Sequence, residues 1–362
     1  MINIKNEKLF YIGGCVRDKI INKKSFDTDL TYVGNAIEFA QNNPDFKIIQ
    51  INEPFGTVKI EYNGEQIDIA STRCEIYPKK GHLPVVDKIG CSLKEDVLRR
   101  DFTINALAQS TLTGEIIDYT GGLDDIKNKK LRVLHDKSFI DDPTRILRAL
   151  KFSVRFGFDL EDNTAKLEQN YLKNINYDMS YKRLKKELTE TFNLNSWNAY
   201  KKFVSRKIYK LIAPMDFEIP KFDFSQIIEK YNIKEPWIIY VGLLPDISSL
   251  PLTKNEKKII EDFNNLKAQN FKTDFEIYKA FQNLQNETLI MYSTINADIV
   301  EKYFEKLKNI KIEITGDDIQ NLGIKPSAQY GKCLDYILEK KINNPQISKA
   351  QEIDLIREFF SK

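Results

Sequence analysis

Hydrophobic residues change their rhythm once along this chain, near Pro143. Up to about residue 140 they come in short runs, at 9–12, 30–33, 57–62 and 66–70, separated by turn-forming residues. Such runs predict strands, and a helical stretch is expected near 36–41. Asn63-Gly64 between the last two runs is a hairpin signal, because both residues tolerate the positive φ of a tight turn. Beyond Pro143 apolar residues recur every three or four positions, with Lys, Glu and Asn between them. That is the period of helices burying one face. The pattern predicts an α+β protein with a mixed β-sheet at 1–140 and an all-helical remainder, divided at 141–195, 196–300 and 301–362. Pro214 and Pro220, then Pro245 and Pro251, mark the softer boundaries. There is no repeat of fixed period.

With 362 residues the chain is long enough for two or more domains. No apolar run approaches the roughly 20 residues of a membrane span. No apolar leader opens the sequence, so a cytoplasmic protein is expected. Cys15, Cys74, Cys91 and Cys333 are scattered without a CxxC pair, and read as reduced thiols rather than a zinc site or disulfide frame. A net charge of +3 does not announce a nucleic-acid partner. The arginines say more: only 11 of the 55 basic residues are Arg, and eight of these lie between Arg17 and Arg155. Clustered Arg in a Lys-rich chain hints at bidentate contacts to phosphate or base edges, against the plainer reading of chance retention.

The candidate chemistry begins at Gly13-Gly14, where an apolar strand runs into a helix starting near Val16. Paired glycines at such an entry let the backbone approach a phosphate, with Arg17 in the first helical turn. Asp27-Thr28-Asp29 then leads into the next strand. Side chains two apart on a strand face one side, so both carboxylates can bridge divalent metal ions. Alone, either segment is as well read as a tight turn or a solvated acidic pair. Asp142 and Arg145 share a helix face continued by Arg148, with the alternative that Asp142 only caps the helix after Pro143.

Taken in order, Gly13-Gly14-Cys15-Val16-Arg17-Asp18, Asp27-Thr28-Asp29, the segment 99–108 beginning Arg99-Arg100-Asp101 and the segment 141–148 ending in Arg148 resemble the class II tRNA nucleotidyltransferase and bacterial poly(A) polymerase family. Residues 314–326 resemble its tail. The resemblance runs from about residue 8 to the end, weakest between 195 and 300. It implies a nucleotidyltransferase head at 1–140, then a helical neck, body and tRNA-binding tail. It implies that the chain adds CCA, or part of it, to the 3′ end of tRNA from CTP and ATP. By the same resemblance Asp27 and Asp29 would bind Mg²⁺, and Gly14 and Arg17 would contact the nucleotide. Arg100 would hold the triphosphate, against a salt bridge to Asp101 or Glu95. Asp142, Arg145, Arg148 and Lys151 would line the nucleotide, although the family has arginine where Lys151 stands. Asp142 and Arg145 would read the base: a carboxylate accepts from the amino group that cytosine and adenine share, and guanidinium serves the ring acceptors. Asp68 is either a third carboxylate at the metals or an acceptor for Arg73.

Between Tyr77 and Leu93 the chain carries Gly or Pro every few residues and reads as a mobile surface loop. The family has at this place a flexible loop needed for adding the terminal A, and here it is full length. Arg183 and Glu187 fall in a segment similar to the family's neck helix and are expected to form an i,i+4 ion pair. His135-Asp136 imitates a phosphohydrolase motif, but with only His82 as a second histidine such a metal site is not expected. An enzyme adding only A or only CC, a poly(A) polymerase, and an inactive RNA-binding protein are the alternatives. The chain ends without a long basic extension of the kind poly(A) polymerases tend to carry, and the intact Asp27-Thr28-Asp29 weighs against inactivity. Nothing in the sequence indicates an oligomeric state.

Overall fold

The computed structural model describes residues 4–24, 28–216 and 222–361, so Asp27 and Pro220 lie outside the described residues. The chain packs into two compact units, one of residues 1–217 with 246–251, the other of 218–245 with 252–362.

The first unit opens with a seven-stranded sheet, to which the four strand-like runs of the sequence contribute four strands. Its strands are β1 (Leu9–Ile12), β2 (Asp29–Tyr32), β3 (Lys47–Asn52), β4 (Thr57–Tyr62), β5 (Glu65–Ser71) and, after a separate hairpin, β8 (Leu107–Ser110) and β9 (Ile116–Asp118). The hairpin pairs β6 (Arg73–Ile76) with β7 (Val85–Ile89). The sheet order is β3-β4-β5-β2-β1-β8-β9, with β2 parallel to β5 and the other neighbours antiparallel.

Alternation along the strands gives the sheet two apolar faces. On one, Leu9, Leu30, Val58, Ile60, Ile67 and Ile69 pack with Ala36 and Ala40 of helix α2 (Ala36–Gln41), which follows α1 (Gly14–Ile20). On the other, Phe10, Ile12 and Ala108 pack with Leu93 and Val97 of α3 (Leu93–Leu98). Asp29 is one residue before Leu30, and therefore belongs to the α3 face.

Helix α3 starts at a reciprocal cap, in which Ser92 accepts from the Glu95 amide and Glu95 accepts from the Ser92 amide. The helices that follow are α4 (Gly122–Lys127), α5 (Ser138–Asp141), α6 (Thr144–Phe156), α7 (Asp162–Lys173), α8 (Tyr181–Leu194) and α9 (Ser196–Ser205). Helix α6 buries Ile146, Leu147, Leu150 and Phe152 and stops at Gly157, whose φ of 71° ends the helix at low cost. Helix α8 buries Leu184, Leu188, Thr191 and Phe192, one stripe at helical spacing.

The second unit is helical among its described residues. Its C-terminal part closes Ile314, Ile319, Cys333, Ile337 and Ile356 into a core. Glu352, fully buried there, accepts the amides of Glu313 and Ile314 at 2.8 and 3.0 Å and pairs with Lys341. Among the described residues no helix is long and apolar enough to cross a membrane.

Candidate nucleotide and metal site

Gly13 ends β1 at a φ of 71°, a left-handed conformation that favours glycine. A second constraint falls on the same residue: a Cβ there would lie 2.7 Å from Nη1 of Arg100. Glycine thus lets the Arg100 guanidinium lie against the turn that starts α1. Arg100 follows α3, whose Asp96 is its carboxylate partner at 3.5 Å, rather than Glu95 or Asp101. Its Nε is buried without a hydrogen-bond partner among the described residues. Burial pushes its pKa down from the ordinary value, and Asp96, then more weakly Asp101 and Asp29, pull it back. A cation with donors to spare beside a Gly-Gly turn suits an anionic ligand.

Asp29 opens β2, is exposed, and stands directly opposite Asp68 in the parallel register with β5. Paired residues of parallel neighbours share a face, so both carboxylates look out on the α3 side. Exposed carboxylates on one sheet face, next to a cation that can hold phosphate, fit a hard divalent ion with oxygen ligands. Lys59 lies 3.4 Å from Asp68, while Arg73 turns instead to Glu75 and the Phe55 carbonyl.

Arg17, expected to contact the nucleotide, is turned inward. It is 3% exposed, bonded through Nε to Asp18 at 2.9 Å and through Nη1 to Asn105, and its guanidinium lies over the rings of Phe152 and Phe156. Arg155 completes the group at Asp18 Oδ2, 2.8 Å away. These contacts tie α1 to α6. A Cβ on Gly14 would stand in ordinary contact with Arg17 Nη2, 3.4 Å away, so this side chain's place does not depend on glycine there.

Along α6 the expected row divides in two. Arg148 bonds Asp101 at 2.6 Å and Glu187 at 3.3 Å, and Lys151 bonds Glu187 and Glu190 at 2.6 and 2.7 Å. Both cations therefore have partners on other elements, which fix α6 against α8. Burial works to raise the pKa of Asp101, but Arg148 and Asn105 outweigh it and hold the carboxyl at about 2. Asp142 and Arg145 are nearly buried. Asp142 Oδ1 accepts from the Thr144 amide at 3.1 Å and its hydroxyl at 2.6 Å, so it does cap the start of α6. It also takes Arg183 on both oxygens, at 3.1 and 2.5 Å. Arg183 thus pairs with Asp142 rather than with Glu187, because the Glu187 carboxylate is drawn to the cations of α6. Arg145 donates to Ser138 Oγ at 2.5 Å, Tyr77 Oη at 3.1 Å and the Arg99 carbonyl at 3.3 Å.

The segment read as a mobile loop is mostly the β6–β7 hairpin, and its tip is docked. The Gly81 amide donates to the Asp141 carbonyl at 2.9 Å, and the Ser180 amide donates to Gly81 at 3.0 Å. His82 and Lys79 each reach Asp178 at 3.0 Å. Gly81 is required by its φ of 80° and by the Asp178 carbonyl, 2.7 Å from where a Cβ would stand. Tyr77, Asp96, Asp101, Asn105 and Arg183 were not singled out for these roles in the sequence. Asp101 and Asn105 carried a signal in lying within the segment 99–108, and Arg183 in the segment similar to the neck helix, there read as a partner of Glu187.

Residues 9–132, which span the sheet and α1 to α4, match the Poly A polymerase head domain. An A-adding tRNA nucleotidyltransferase of Halalkalibacterium halodurans is 29% identical over 98% of this chain and 89% of its own length. A CCA-adding enzyme of Staphylococcus saprophyticus is 29% identical over 84% of this chain and 75% of its own. The chain spans less than half of two further A-adding relatives, 44% of that of Geobacter sulfurreducens and 41% of that of Aquifex aeolicus. The Thermotoga maritima CCA-adding enzyme, solved in complex with tRNA, superposes with a TM-score of 0.75 at 26% identity, covering 98% of this chain and 90% of that one. Over nearly its whole length the chain is thus similar to tRNA nucleotidyltransferases, and over residues 9–132 to the Poly A polymerase head domain.

Proposed function

We propose that this chain transfers CMP and AMP from CTP and ATP to the 3′ end of tRNA, building the CCA terminus, and that it works in the cytoplasm. The observation that carries this reading is Arg100, with an unpaired buried donor beside the Gly13-Gly14 turn and in the field of Asp29. Arg100 receives the triphosphate and balances the charge that grows on the leaving pyrophosphate. Asp27 and Asp29 would hold Mg²⁺, with Asp68 as a further carboxylate across from Asp29, and the metal would supply activation of the 3′-hydroxyl and neutralisation of the phosphates. The gain is electrostatic and positional, as in other phosphoryl transfers.

Asp142 and Arg145 select the base. The carboxylate offers roughly four acceptor directions. Three donors occupy Oδ1 and one occupies Oδ2, so Oδ2 keeps an acceptor for the amino group of cytosine or adenine. UTP and GTP would set a carbonyl against it. Arg148, Lys151 and Arg183 contribute by holding α6 and Asp142 in place. Arg17 acts through packing, and not by touching phosphate.

A second reading, addition of A alone to tRNA already ending in CC, is favoured by the A-adding relative that aligns with 98% of the chain. Under either reading, Asp29→Ala abolishes incorporation of labelled nucleotide while tRNA binding in a filter assay stays within about twofold of the parent. Incorporation at more than a trace by this variant would remove Asp29 from the chemistry.

A further inference from the structure

Outside the nucleotide site, the hairpin brings together two cysteines that stand 17 positions apart and share no motif. Cys74 lies on β6 opposite Lys88, next to a bulge, and Cys91 follows β7 after Gly90. The ligand atoms of Cys74, Cys91 and Glu95 all lie within 4.8 Å of one another, and they form the only such His, Cys, Asp and Glu group of three among the described residues. We propose that Cys74, Cys91 and Glu95 bind one thiophilic divalent ion of the zinc class.

Each of the three ligands is located by hydrogen bonds of its own chain neighbours. The Gly90 amide donates to the Thr72 carbonyl at 2.7 Å, and Thr72 Oγ1 donates to the Cys91 carbonyl at 2.6 Å, which closes the base of the hairpin. The Arg73 amide donates to Asp96 at 3.1 Å, which ties β6 to α3. Glu95 Oε2 is held by the Ser92 amide and hydroxyl at 2.8 and 2.6 Å. Tetrahedral zinc with Zn–S bonds of about 2.3 Å needs sulfurs roughly 3.8 Å apart. The two sulfurs, within 4.8 Å of each other, therefore lie no more than about 1 Å beyond that spacing.

Two sulfurs and a carboxylate oxygen suit zinc over magnesium, and the exposed Glu95 leaves the fourth position to solvent. Burial, with Cys74 beside it, pushes the Cys91 thiol up to about 12. An incoming ion forms two metal–sulfur bonds, and the thiol protons it displaces pass to solvent. The bound ion clamps the base of the hairpin to the helix that leads into Arg99-Arg100.

The test is a titration of the full chain, reduced and freed of metal, with Co²⁺ under anaerobic conditions. One equivalent of ion should raise a thiolate-to-cobalt charge-transfer band. The carboxylates of the nucleotide site cannot produce that band, so the two sites are read separately. Cys74→Ser and Cys91→Ala should each abolish it, with Cys15 and Cys333 unchanged, and Glu95→Gln should keep it at weaker affinity. Should Cys91→Ala fail to fold, the half-buried Cys74 still permits the comparison. No thiolate band in the parent chain, or a band that survives Cys74→Ser, would overturn the proposal.

Discussion

Asp142 has two occupations at once, capping α6 through Thr144 and bonding Arg183, and selecting a base would be a third. Substitutions separate them. Asp142→Ala should relax discrimination against UTP and GTP by roughly 1–3 kcal/mol per lost base contact. It should also destabilise the protein, because it leaves Arg183 without its partner. Asp142→Ser keeps a capping oxygen but loses the carboxylate, so it should recover part of the stability and none of the selectivity. Ratios of kcat/KM for the four triphosphates, measured beside thermal unfolding, check both; unchanged ratios would leave Asp142 a structural residue. Asp101 makes a prediction in pH. Its carboxyl is held at about 2, below the ordinary 3.8, so its ionised form stabilises the fold above the usual carboxylate range. That contribution, roughly 2 kcal/mol, fades as pH falls from about 4 to about 2. The stability gap between the parent and Asp101→Asn should narrow over that interval in urea unfolding. A gap independent of pH would show that Asp101 acts through shape alone. Of these residues, the sequence disclosed Asp142 and Arg145 through helical spacing and a family motif. It did not disclose Arg183 or Tyr77 as their partners, because each comes from a distant element and no local pattern records that contact.

The elements most legible in advance were those with strong local signals. Strand, Gly-Gly turn and helix follow one another as read, and the Asn63-Gly64 hairpin forms between β4 and β5. Strand β3 was missed because three of its residues, Lys47, Gln50 and Asn52, are polar and its two exposed isoleucines break any alternation. The β6–β7 hairpin was taken for a loop because Pro78, Gly81 and Pro84 punctuate it, although those residues occupy only its tip. That tip is anchored by Gly81, His82 and Lys79 at the residues preceding α8. Asp178→Ala removes both side-chain anchors while leaving the Gly81 amide bonds. If a docked tip is needed for the terminal A, the variant should add CC at the parental rate and slow severalfold at A. Equal slowing at every step would make the anchor a matter of stability, and no slowing would make the tip a mere connection.

At the scale of the molecule, the first unit carries the head domain together with helices α6 and α8, which ion pairs join to each other, and the second carries a separate helical core. The change of rhythm at Pro143 marked where strands give way to helices, yet α6 packs with the head through Arg17, Arg148 and Asp101. Function in this family lies in how far the tRNA end is built, and relatives named for A addition and for CCA addition both align with most of the chain. The most direct measurement offers the protein three tRNA transcripts, ending before, within and after the two cytidines, with CTP, ATP, both or neither, and reads product length. CCA addition predicts one or two nucleotides with CTP as each end requires, one more with ATP, and then arrest. An enzyme that extends only the transcript already ending in CC, by a single A, would replace CCA building by A addition. Long homopolymers, or no metal-dependent extension of any transcript, would contradict the account.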